Sequence, residues 1–218
     1  MSAMGLLVTL EGGPGSGTAE QALLLRQSLD GEGVPADFVQ PGGEDAWLVP
    51  DGQRAPEWPP ASRVAPFLFA VTHLADTWHH LAAPGVAAGS IVILDRYRTT
   101  LLAHARARKL DAEWAAATVA VLRPADVAIY LRSDPVRQLD RLLRAGQALR
   151  GWQVGIDVGA ARGTGFAGAF RAYQSTVSRQ FDALAGPGRL LVLDGDGDPA
   201  VLQRQIHDAV ITALEAVG

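Results

Sequence analysis

The chain has 218 residues, enough for one domain with a buried core, and its 48% apolar and 19% charged residues mark it as globular. A net charge of −4 argues against a nucleic-acid binder, and the absence of cysteine excludes a disulfide framework, a Cys-ligated zinc site and a thiol nucleophile. Lys109 is the only lysine among 19 basic residues, so any chemistry that needs a lysine elsewhere is excluded.

In chain order, Leu6–Leu10 reads as a first strand that runs into a glycine-rich turn and then a helix ending near Gly31. A second strand is expected at Asp37–Val39, followed by an irregular loop over 41–62 that carries Pro41, Pro50, Pro56, Pro59, Pro60 and Trp58. A helix over 62–82, a strand at Ile91–Leu94, a helix over 111–122 and a strand at Val127–Leu131 come next. The fourth helix, over 135–145, starts at Asp134-Pro135, and the last two cover 166–185 and 199–216 on either side of a strand at Leu190–Leu193. Residues 146–165 are too long and glycine-rich for an ordinary connection, which points to a lid.

Most of the strands are uninterrupted apolar runs of four or five residues, the pattern of a parallel sheet covered on both faces. Strands alternating with helices predict a doubly wound α/β fold. No internal repeat is visible. The uncharged stretch Leu81–Leu94 is too short for a spanning helix, which needs about 20 apolar residues, and Pro84, Gly85 and Gly89 interrupt it. No basic segment precedes the first apolar run, so the expected address is the cytoplasm.

The turn Glu11-Gly12-Gly13-Pro14-Gly15-Ser16-Gly17-Thr18-Ala19 lies between a strand and a helix, the context of a phosphate-binding loop. Glycines there let backbone N–H groups converge on a phosphate at a helix N-terminus, where the dipole favours negative charge. Gly12 and Gly17 stand at the two fixed glycines of the eight-residue pattern. Thr18 stands where the pattern has its lysine, and Ala19 where it has the Ser or Thr that helps seat magnesium.

Further motifs follow in order. Val39-Gln40-Pro41-Gly42-Gly43 comes after the second strand, then Leu68-Phe69-Ala70-Val71-Thr72-His73, then Asp95-Arg96-Tyr97 at the end of the third strand. Thr100 to Ala105, the lead-in Leu122 to Asp126, and the pair Phe166 and Tyr173 complete the series. In this order and spacing the chain resembles the thymidylate kinase family of P-loop nucleoside monophosphate kinases. That family carries EG-x-[DE]-G-x-GK-[ST], R-E-P-G-G, L-F-A-A-D-R, D-R-Y, S-x-A-Y-Q and F-x6-Y.

The resemblance covers nearly the whole chain. It implies one domain over 1–218 with a three-layer P-loop NTPase fold, a five-stranded parallel sheet and a lid near 146–165. It also implies the reaction ATP + dTMP to ADP + dTDP, with ATP and Mg2+ as cofactors and a homodimer as the assembly. Carried over by position, Gly12, Gly15, Ser16, Gly17, Thr18 and Ala19 would meet nucleotide phosphates. Gln40, Phe69, His73, Arg96, Thr100 and His104 would meet the acceptor, and Asp95, Arg96, Arg150 and Arg162 would act on the transferred group.

The departures bear on activity. Loss of one cationic clamp on a transferring phosphoryl group costs roughly 10³ to 10⁵ in rate, and here two adjacent positions are changed. Glu20 in the first turn of the helix repels a triphosphate. On the acceptor side, Val39, Thr72 and His73 replace the arginine of R-E-P-G-G and the Asp-Arg pair of the following helix, and Pro14 the acidic loop residue. The expectation is therefore a degenerate, pseudoenzyme-like member that binds a nucleotide or another phosphorylated ligand, with weak or no dTMP phosphorylation. The alternatives are an active kinase for another phosphorylated acceptor, using lid arginines among Arg144, Arg150 and Arg162, and a non-catalytic dimeric scaffold. His79-His80 point about 100° apart on a helix and make no shared metal site. Asp194-Gly195-Asp196-Gly197-Asp198 reads as the acidic start of the last helix, since it lacks the closing glutamate of a calcium loop.

Overall fold

The computed structural model describes residues 5–41, 63–159, 165–186 and 190–217. Five strands, β1 (Leu7–Glu11), β2 (Ala36–Val39), β3 (Ile91–Asp95), β4 (Val127–Arg132) and β5 (Leu191–Asp194), form one sheet in the order β2-β3-β1-β4-β5. Every pairing is parallel, with Leu10 opposite Asp95 and Ile129. The strand order reverses between β3 and β4, on either side of β1, so a ligand crevice opens above the carboxyl end of β1.

Alternate residues of β1 serve two cores, which is why the run Leu6–Leu10 is apolar apart from Thr9. Leu6, Val8 and Leu10 pack with Ala22, Leu25 and Leu29 of α1 (Thr18–Gly31) and with Leu202, Ile206 and Val210 of α9 (Pro199–Val217). Leu7 faces the other way, onto Phe67, Val71 and Leu74 of α2 (Val64–Thr77) and Leu101 of α4 (Arg98–Ala107). Beside them α8 (Gly165–Leu184) lays Tyr173, Val177 and Phe181 on β4, with Phe181 stacked on Tyr130 at 4.4 Å between ring centres. Side chains of this size contribute roughly 1.5–3 kcal/mol each when fully buried.

Local signals set several boundaries. Asp134 accepts from the Val136 N–H at 2.7 Å and Pro135 opens α6 (Pro135–Arg144). Asp111 caps α5 (Ala112–Val119) through the Trp114 N–H, and Asp198 caps α9 through those of Ala200 and Val201. The helix expected over 62–82 is regular only to Thr77. One π-turn (Trp78–Ala82) follows, then α3 (Ala83–Ala87), whose second residue is Pro84. Proline lacks the N–H that a continuous helix would need there.

The lid region is more ordered than a loop. Its described residues include α7 (Gly151–Val154) and a 3₁₀ turn (Ile156–Val158), and Val154 is fully buried against Phe170. Most of the irregular loop over 41–62 lies outside the described residues. Among the described residues no helix is long and apolar enough to cross a membrane.

Candidate functional site

The loop between β1 and α1 has its shape built from backbone. Ser16 donates from its N–H and, at 2.7 Å, from its hydroxyl to the Gly13 carbonyl, which closes the turn. Gly15 and Gly17 take φ of 75° and 85° in the left-handed region that favours glycine. A Cβ on Gly15 would lie 2.5 Å from the Gln138 carbonyl, and one on Gly13 would press on the amides of Gln138 and Gln174. The loop is thus moulded on two buried glutamines of α6 and α8. Gly17 caps α1 without a side-chain hydrogen bond, so the helix N-terminus is open to an anion. Thr18 is buried, Ala19 half-buried and without an oxygen on its side chain, and Glu20 exposed.

Arg141, on α6, ties the loop to its neighbours. It donates to the Gly15 carbonyl at 3.2 Å, to Ser133 Oγ at 3.2 Å and to the Gly195 carbonyl at 3.1 Å, and it pairs with Asp196 at 3.0 Å. Asp196 also accepts from Ser133 Oγ and the Asp134 N–H. The acidic stretch from Asp194 to Asp198 therefore both starts α9 and anchors the β4–α6 turn.

Glu11 and Asp95 end the two central strands. Glu11 is buried, and one of its oxygens accepts from the N–H groups of Tyr97 and Thr100 at 3.0 Å and from the Thr100 hydroxyl at 2.6 Å. This carboxylate, far away in sequence, caps α4. Thr100, expected at the acceptor, spends its hydroxyl on that cap. Burial pushes the Tyr97 hydroxyl pKa up to about 12. Asp95 accepts from Arg96 at 3.3 and 3.4 Å and from the Gln40 amide at 3.4 Å. Arg96 holds a left-handed φ of 62° and donates its N–H to the Leu10 carbonyl at 2.8 Å. A positive φ at arginine is strained, and strain of this kind gathers at functional sites.

Arg96 reaches a cavity of about 280 Å³ beside the loop, lined by Pro14, Gly15, Leu142, Gly146, Gln147, Ala148, Arg150 and Gln153. The structure therefore brings Arg96, Arg150 and Gly15 together. Arg144 does not join them; it pairs with Asp140 one turn away on the exposed face of α6. Arg162 lies outside the described residues.

A second, apolar pocket adjoins through α7, lined by Pro66, Phe67, Ala70, Leu101, His104, Ala105, Arg108 and Trp152. Phe67 lines it, whereas Phe69, expected to stack on a ligand, is half-buried on the same helix and does not. His73 is also half-buried, with its Nε2 enclosed and without a hydrogen-bond partner. Thr72 is exposed and donates back to the Leu68 carbonyl. His104 sits in a cluster: its Nδ1 lies 3.0 Å from both Tyr173 Oη and Arg108 Nη1, and Arg108 also donates to Tyr173 Oη and to the Trp152 carbonyl. Because Arg108 only donates, Nδ1 is the acceptor and the ring proton is on Nε2. Burial, with Arg108 and Arg96 nearby, holds the His104 pKa well below the usual histidine value, so the ring is neutral.

Arg108, Trp152, Arg141, Gln138 and Gln174 were not singled out by sequence. Each acts through partners more than 20 residues away, and no spacing rule reads such contacts.

The fit of cofactors follows from these donors. The glycine turn and the uncapped α1 terminus suit a nucleotide phosphate, with Arg96 and Arg150 as cations. Magnesium fits poorly: Ala19 offers no hydroxyl, and Asp95 is already engaged by Arg96 and Gln40. Among the described residues there is no group of three His, Asp or Glu that could hold a metal.

No protein-family profile matches the chain. It is 34% identical over 176 residues to the thymidylate kinase of Cutibacterium acnes, covering 72% of this chain and 84% of that protein. It is 29% identical to the thymidylate kinase of Clavibacter sepedonicus over 93% of each chain. A probable thymidylate kinase 2 of Saccharolobus solfataricus is 24% identical over 98% of this chain and 96% of its own length.

Proposed function

The chain belongs to the thymidylate kinase family, and from that premise we propose a nucleotide-binding protein whose dTMP phosphorylation is at least about a thousandfold slower than that of a member with the loop lysine. The observation that carries this reading is the buried, neutral Thr18 at the first position of α1, followed by Ala19. Phosphoryl transfer depends on positioning and on neutralising charge that develops on the migrating group. The loop backbone supports the positioning. Its own side chains supply no cation, and Ala19 offers no hydroxyl where a metal would be seated.

Lys109 does not substitute for the missing cation. It follows the last turn of α4, whose first turn rests on Glu11, and a ten-residue helix spans about 15 Å. Among the described residues, the cations that line the cavity are Arg96 and Arg150. Their presence beside Gly15 favours a second reading, an active but diverged kinase that acts on another phosphorylated acceptor.

Titration with ATP and dTMP, with turnover followed in parallel, separates these readings. ATP binding without turnover supports the first, and a turnover number within the usual range of roughly 1 to 10³ per second overturns it. Turnover on a different phosphorylated acceptor supports the second. Neither binding nor turnover leaves a non-catalytic scaffold. The double change Thr18→Lys, Ala19→Ser should raise ATP affinity about tenfold or more while leaving dTMP turnover low, because the acceptor side is also altered. Full dTMP phosphorylation by that variant would show the acceptor site to be intact.

A further inference from the structure

The left-handed φ of 62° at Arg96 is one that an arginine keeps only where its surroundings fix the backbone on both sides. Both fixings come from consecutive residues of β1. The Leu10 carbonyl accepts the Arg96 N–H at 2.8 Å, and Glu11 accepts the Tyr97 N–H at 3.0 Å. The first bond holds the peptide before Arg96 and the second the peptide after it, so together they set its φ and ψ. Asp95 acts elsewhere: it meets the guanidinium, at 3.3 and 3.4 Å.

Glu11 does more than cap a helix needs. A Ser, Thr or Asp at the cap position of α4 would accept the Thr100 N–H locally. Tyr97 stands there instead, and a buried carboxylate replaces the local cap, although burying a charge costs more than burying a hydroxyl. A cap side chain alone leaves the N–H of the cap residue itself unheld. A Glu or Gln three residues on can take it, but that position is Thr100, whose hydroxyl donates to Glu11 at 2.6 Å. Among the described residues the other oxygen of Glu11 is buried and makes no hydrogen bond, so all the pairing of this carboxylate goes to the segment that follows Arg96.

We propose that Glu11 is a positioning residue for phosphate recognition. By holding the Arg96–Tyr97 peptide it keeps Arg96 left-handed and its guanidinium in the cavity beside Gly15 and Arg150. The Cα–Cβ direction turns with φ relative to the flanking peptides, so an Arg96 released to a negative φ leaves that position. The proposal deepens the nucleotide-binding reading and rests on it for the ligand.

Calorimetric titration of the full chain with dTMP, together with the backbone chemical shifts of residue 96, compares the wild type with Glu11→Ala, Arg96→Ala and the double variant. Glu11→Ala is expected to bind dTMP at least about tenfold more weakly than the wild type, as is Arg96→Ala, and to lose the left-handed shifts of Arg96. The double variant is expected to bind as Arg96→Ala does, because Glu11 acts through Arg96. A role confined to capping α4 would lower the melting temperature and leave dTMP affinity unchanged, and that result overturns the proposal. Losses that multiply in the double variant overturn it too, since Glu11 would then reach the ligand without Arg96. Glu11→Ala strands three buried donors and can fail to fold, in which case the nearly isosteric Glu11→Gln decides. A neutral amide oxygen holds the Tyr97 N–H less strongly than a carboxylate, so a loss of about threefold or more is expected, absent from the Arg96→Ala background. No loss overturns the proposal. If the wild type binds no dTMP, the nucleotide-binding reading fails, and the shifts of residue 96 judge the proposal by themselves. Left-handed shifts kept in Glu11→Ala, or unchanged in Glu11→Gln where Glu11→Ala does not fold, overturn it.

Discussion

The loop after β1 and the short helix α7 border the same cavity, yet they are held in place by opposite means. The loop is shaped by its own glycines against Gln138 and Gln174, with the Thr18 methyl packed close to Gly12. The α7 turn has one local bond, from the Arg150 N–H to Gln153 Oε1 at 2.8 Å, and ends at the left-handed Gly155. Its carbonyls are held by buried groups from elsewhere, Arg108 on Trp152 and Gln174 on Gln153, the latter at 2.8 Å, and Val154 plugs it against Phe170. The loop's form rests on backbone and on its glutamine neighbours, while the charge beside it comes from residues that the loop does not contain.

The sharpest way to break this comparison is at the glycines. Gly15→Ala combines a left-handed φ with a Cβ 2.5 Å from a backbone carbonyl, so a loss of about 3 kcal/mol in stability is expected. Gly17→Ala, with a similar φ and nothing within 4 Å, should cost about 1 kcal/mol. Equal losses in chemical denaturation would mean that the packing on α6 does not shape the loop.

Arg96 comes next. Its removal leaves the buried Asp95 without its cation, worth about 2 kcal/mol here because the contacts are long, and Arg96→Ala should melt about 4–8 °C lower. Adding Asp95→Asn should recover most of that melting temperature. Thermal stabilisation by a nucleoside monophosphate should stay lost in both variants. If the double variant still responds to the ligand, Arg96 belongs to the scaffold and not to the site.

The smallest effect is expected at His104. Its folded-state pKa lies below the unfolded value, so below about pH 6.5 the unfolded chain binds a proton that the folded chain refuses. Stability is then full above that pH and falls as pH drops, with a slope of up to about 1.4 kcal/mol per pH unit from this group. Thermal melts between pH 7.5 and 5.5 should show a shallower decline for His104→Gln than for the wild type. Parallel declines would place the ring in a solvated position.

The central strands β1 and β3 were legible in the sequence because every residue in them is buried, which favours a nearly unbroken apolar run that needs no knowledge of its partners; the edge strands β2 and β5 are partly exposed. The capped helices were legible for a similar reason, since Asp111, Asp134 and Asp198 lie within three residues of the N–H groups they satisfy. The glycine turn and its altered positions were also local, and family resemblance added the order of the motifs. The helix Arg98–Ala107 was not read from spacing. Tyr97 at its N-cap makes no side-chain bond, and the cap comes from Glu11, 86 residues before Tyr97. The left-handed Arg96, the Arg141 bridge and the cluster of Arg108, His104, Tyr173 and Trp152 are likewise products of tertiary packing. A sequence determines which groups prefer burial or a given backbone angle; which donor meets which acceptor across the sheet is decided only when separate elements arrive at the same place.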